Sequence, residues 1–109
     1  MVLVKLKDKG KIIEVEVRKM NRIQKYLGLM IYKQALLFSF DKPGRHAIHS
    51  LFCPRFLAIW INNGKIVEYK LVNPWNFIVK PEKDFTELLE IPDNNKYKET
   101  IQILSEKFK

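Results

Sequence analysis

FLAIWINNGKIVEYKLV, residues 56–72, decides how the rest of the chain is read. Asn63-Gly64 stands between two apolar runs, and both residue types tolerate positive φ, so the pair predicts a two-residue hairpin turn. Two strands of similar length then lie back to back. Working outward from them, "TELLEI" makes a last strand that ends at Pro92, after a loop at "NPWN" and a short apolar stretch "FIV". On the N-terminal side "ALLFSF", residues 35–40, is a buried strand, with a turn expected at "DKPG", 41–44.

The first eighteen residues read as a second hairpin. Val2, Val4 and Leu6 alternate with Leu3, Lys5 and Lys7, Gly10 supplies the turn, and Ile13, Val15 and Val17 alternate with Glu14, Glu16 and Arg18. From Asn21 the period lengthens: Ile23, Leu27 and Met30 predict a short helix near residues 21–28, stopped by Gly28. Beyond Pro92, Tyr97, Ile101, Leu104 and Phe108 form one stripe of an amphipathic helix that Asn94 or Asn95 can cap. The expected fold is mainly β, a compact antiparallel barrel or sandwich: residues 1–92 form a single β-rich domain and 93–109 a C-terminal helix packed on it. That helix also offers a route to self-association.

With 109 residues, 47% of them hydrophobic, the chain suits one globular domain able to bury its own core. One cysteine cannot form an internal bridge, and no apolar run reaches membrane-spanning length, so a cytoplasmic, non-membrane protein is expected. Rich lysine and isoleucine use with little glutamine is a compositional hint of a thermophile. The net charge is +8 and uneven, because residues 1–33 hold nine Lys/Arg against three Asp/Glu. Lys5, Lys7, Lys9, Lys11, Arg18, Lys19, Arg22 and Lys25 make a candidate basic face for an anionic partner such as nucleic acid. The plainer account is solubility and protection of an edge strand.

HAIHSLFCPRFLAIW, residues 46–60, gathers both histidines, the cysteine and a tryptophan. In an extended segment His46 and His49 point to opposite faces, and His49 and Cys53 lie roughly 13 Å apart. Pro54 disfavours helix at Cys53. The stretch therefore reads as core rather than as a metal centre or nucleophile, and no catalytic residue, metal or cofactor is expected. No phosphate-cradling glycine motif or nucleophile elbow occurs. Glu14 and Glu16 read as a solvated row. Trp60 belongs to the core, whereas Trp75, in a loop with Phe77 two residues on, either plugs a barrel end or stacks on a ligand.

Residues 27–92 resemble the small prokaryotic family catalogued as the domain of unknown function 192. The matching pieces are Gly28-Leu29-Met30, "ALLFSF", Gly44 and His46, and the apolar strand led by Pro54. The Asn-Gly turn into "KIVEYK", Pro74-Trp75 and "LLEIP" follow in order. The resemblance implies a compact, mostly β domain with no established biochemical activity. Where many members carry Trp-Met-Lys-Asn-Thr after the histidine, this chain has Ser50-Leu51-Phe52-Cys53. Where many place an aspartate two residues after the proline, it has Phe56.

Two functional readings follow. The first is a non-enzymatic binding or accessory module with a basic N-terminal face and Trp75 as a stacking surface. The second is a small-molecule-binding protein or enzyme with its site at a barrel mouth near His46 and His49.

Overall fold

The computed structural model describes residues 2–8, 11–19, 34–45, 55–75 and 79–107. Among the described residues six strands, β1 (Val2–Asp8), β2 (Lys11–Lys19), β3 (Leu36–Gly44), β4 (Phe56–Asn62), β5 (Lys65–Val72) and β6 (Phe85–Pro92), precede one helix, α1 (Lys98–Lys107). They form a single sheet in the order β1-β2-β3-β6-β4-β5, curled into a half-barrel so that the outer strands β1 and β5 approach each other. The mainly β class read from the sequence holds. The helix proposed near residues 21–28 lies outside the described residues.

The Asn-Gly hairpin forms as read. Asn63 has φ 52° and Gly64 φ 74°, and β4 and β5 run antiparallel from Phe56↔Val72 to Asn62↔Lys65 with a bulge at Trp60/Ile61. Two features differ from expectation. The "DKPG" segment is strand rather than turn: β3 runs on to Gly44, with an irregular register against β6 between Ser39 and Gly44. Ladder pairing between β2 and β3 ends at Lys19↔Leu37, so Pro43 is set in an irregular stretch beyond it, where a missing N–H costs little. The second is direction. β2 and β3 pair in parallel, through Arg18↔Leu36 and Lys19↔Leu37, so the sheet is mixed.

Two apolar clusters flank the sheet. Inside the curl, Leu6, Val15, Val17, Leu37, Leu57, Ile59, Ile61, Leu89 and Ile91 pack with Tyr97, Ile101 and Leu104 from the C-terminal segment. On the outer face Leu36, Phe38, Phe56, Ala58, Trp60, Val72, Val79, Phe85 and Leu88 form the second cluster. Strands β3, β4 and β6 thus bury residues on both faces, which explains the consecutive apolar residues Leu36–Phe38, Phe56–Ile61 and Leu88–Leu89, while β1 and β2 alternate because one face meets solvent.

Asn94 anchors the helix. Its Oδ1 accepts from the backbone N–H groups of Lys96 (3.0 Å) and Tyr97 (3.3 Å). The Tyr97 hydroxyl accepts the Ala35 N–H at 2.8 Å in a buried position. Asp93, just before the cap, takes the Arg55 guanidinium, with Nε at 2.8 Å from Oδ2. The apolar stripe is therefore spent on the sheet, while Ile103 stays on the exposed side. Phe108 lies outside the described residues.

Candidate functional site

Strand directions decide which ends of the elements meet. β1, β5 and β6 run one way; β2, β3 and β4 run the other. One end of the sheet therefore carries the close of β1, the start of β2, Arg55, Asp93 and the turn after β5 at Pro74-Trp75. The opposite end carries the close of β3 and the Asn63-Gly64 turn.

Trp75 is 62% exposed and has φ 68°. It does not plug the barrel. A bulky side chain in the left-handed region is uncommon and often marks a constrained functional loop. On β1, Leu3, Lys5 and Lys7 occupy one side of the strand, opposite Glu16, Glu14 and Ile12 of β2. Lys5 lies 4.0 Å from Glu14, both exposed. The outer face of this hairpin is thus mixed in sign rather than uniformly basic. Lys7 is in the second half of β1 and Lys11 opens β2, Lys5 is mid-strand, and Arg18 and Lys19 close β2 in register with Leu36 and Leu37 at the start of β3. Lys9, Arg22 and Lys25 lie outside the described residues, as do His46, His49 and Cys53.

A second constellation was not singled out in the sequence. Arg18, Leu36, Glu90, Ala58 and Lys70 stand in one row across β2, β3, β6, β4 and β5, each paired with the next. Directly paired residues share a face, here the outer one that holds Leu36, Ala58, Trp60 and Leu88. Glu90 is 7% exposed. Burial alone pushes its carboxyl up from 4.5 to about 8, so it holds its proton at neutral pH. Trp60, diagonal to it across the Leu88 pair, is fully buried, and its Nε1–H has no partner among the described residues. An orphaned buried donor costs about 1–3 kcal/mol. The indole ring meets Phe85 edge-on at 6.4 Å between centroids. The sequence did hold a signal for Glu90: in "LLEIP" the neighbouring Leu88, Leu89 and Ile91 fill both faces, leaving a glutamate no solvent side.

Among the described residues no three His, Cys, Asp or Glu side chains gather as metal ligands, and no helix is long and apolar enough to cross a membrane. No family model and no curated protein matches the chain. Two solved structures are similar to it. One is a "putative transcription regulator" from Sinorhizobium meliloti 1021, 18% identical, covering 90% of this chain and 83% of that one with a TM-score of 0.71. The other is a protein of unknown function from Novosphingobium aromaticivorans DSM 12444, 12% identical, covering 90% of this chain and 76% of that one with a TM-score of 0.72. At such identities the likeness speaks for the half-barrel fold alone.

Proposed function

We propose that the protein is a non-enzymatic binding module of the domain of unknown function 192 type, which meets an anionic partner such as a single-stranded nucleic acid through the Trp75 end of the half-barrel. The observation that carries this reading is the exposed, left-handed Trp75 at the sheet end that also carries the close of β1 and the start of β2. An exposed indole offers a π-face that any base can stack on, and lysines track phosphates without reading sequence. The +8 net charge supplies long-range attraction. A cytoplasmic setting in a prokaryote suits a single-cysteine chain with such a partner.

Fluorescence anisotropy with a labelled single-stranded oligonucleotide tests the proposal. If about four phosphates are neutralised, log K falls against log salt with a slope near −2.8, or near −3.6 on a duplex. Raising salt fourfold then weakens single-strand binding roughly 50-fold. Absent binding at low salt, or binding indifferent to salt, refutes it.

A further inference from the structure

We infer that the protein associates with a second copy of itself by antiparallel pairing of the two β5 edges, about a two-fold axis through Tyr69. β5 ends the sheet, and among the described residues no strand pairs with its outer edge; β1 comes near it across the curl without forming a ladder. Tyr69 lies opposite Ile59 and Leu71 opposite Leu57, so both belong to the inner face, whereas Lys70 lies opposite Ala58 on the outer one. Tyr69 is 39% exposed, Leu71 is 42% exposed, and Lys70 is exposed as well. Three successive residues that alternate between the faces are thus open to water, so neither face is covered along this stretch. Most of the usual protections of an edge strand are missing from it. Lys65–Val72 contains no proline, its bulge lies opposite Trp60/Ile61 before the open stretch, and the inward positions hold Tyr69 and Leu71 instead of a charge. Lys70 alone guards the edge, and a second copy brings the charge that answers it.

Charge complementarity selects both the occupant and the register. A two-fold axis normal to the joined sheet pairs residues of like face, so it must pass through one residue of the strand. Through Tyr69 it sets Glu68 opposite Lys70 of the second copy and Lys70 opposite that copy's Glu68, with the two Tyr69 residues facing each other and Leu71 opposite Val67. Opposite-charge and aromatic pairs are the favourable cross-strand combinations. An axis through Glu68 or through Lys70 would instead set like charges directly opposite, which is destabilising. Lys70 has no ion-pair partner among the described residues. Glu68 Oε1 accepts the Glu82 N–H at 2.9 Å, which leaves the second carboxylate oxygen for an incoming ammonium. β1, the other edge strand, has no such register, since its outer-face positions Leu3, Lys5 and Lys7 include no acid. Pairing β5 with β1 of the next copy would be head-to-tail and would grow past two chains unless it closed into a ring. The apolar stripe of α1 is already packed on its own sheet. One short strand pair buries little surface, so the dimer is weak and forms only as concentration rises.

Analytical ultracentrifugation of the full chain, from about 10 μM to about 1 mM, reads the association. The expected result is a rise from monomer to dimer with concentration and no growth beyond two chains. Lys70→Glu turns both Glu68–Lys70 contacts into pairs of carboxylates, so dimerisation should weaken about tenfold or more. Adding Glu68→Lys to that chain restores opposite charges with the sides exchanged, and should recover most of the lost affinity. Circular dichroism checks that each variant is folded. If the double variant is not, the ranking of wild type, Lys70→Gln and Lys70→Glu in falling affinity decides in its place. A chain that stays monomeric throughout, assemblies that grow past two copies, dimerisation indifferent to Lys70→Glu, or no recovery in a folded double variant overturns the inference.

Discussion

Replacing Glu90 by glutamine should make the protein more stable, and increasingly so as the pH rises. The folded carboxyl titrates near 8 against 4.5 in an exposed setting, because strands on both sides present Leu36 and Ala58 rather than water or a cation. Between those values the folded chain keeps a proton that the unfolded chain has released, so stability drops as pH increases across the window. Below about pH 4.5 the group contributes no penalty; above 8 the loss is complete. Each unit is worth about 1.4 kcal/mol, which gives roughly 3 kcal/mol at pH 7 and 4–5 kcal/mol at pH 9. Glutamine has nearly the same shape and no charge. Urea unfolding of both proteins at pH 4.5, 7 and 9, followed through the buried Trp60, measures the difference directly. Midpoints that separate progressively with pH at constant slope bear out the argument. A separation that stays the same at all three values refutes it, since Glu90 would then be ionised or paired in the folded state.

Other perturbations have smaller, distinct signatures. Tyr97→Phe removes the acceptor for the buried Ala35 N–H and should cost about 1–2 kcal/mol in the same assay. Gly64→Ala should cost about 1 kcal/mol through backbone strain at φ 74° alone, since an added Cβ there meets nothing within 4 Å. Trp75→Ala should weaken oligonucleotide binding by about 1–3 kcal/mol, read by anisotropy at low salt. Arg55→Ala breaks an exposed pair with Asp93 and should change stability by less than about 1 kcal/mol.

Local chemistry made some elements legible from residues alone. Asn63-Gly64 names its own turn, the 2-residue period of Val15 and Val17 names a one-sided strand, and the spacing of Tyr97, Ile101 and Leu104 names a packed helix. Long-range pairing had no such mark. Nothing in "DKPG" says that β3 continues past its ladder with β2, and nothing near Arg18 announces a parallel neighbour, because both depend on which strand arrives from elsewhere. Glu90 had a local mark in the apolar neighbours Leu88, Leu89 and Ile91, but its place between Leu36 and Ala58 depends on which strands flank β6. Trp75 was legible as a loop residue, but its exposure depends on the turn's backbone.

The parallel junction between β2 and β3 has a consequence for how the molecule opens. The β1–β2 hairpin joins the remaining four strands through two residue pairs and the bond from Arg18 N–H to the Ala35 carbonyl, at 2.9 Å. Among the described residues, side-chain packing of Leu6, Val15 and Val17 also holds it. Hydrogen exchange should therefore find the hairpin's amides releasing together, at a lower free energy than those of β4 and β6. The chain's first two strands would behave as a detachable flap on a stiffer four-stranded body.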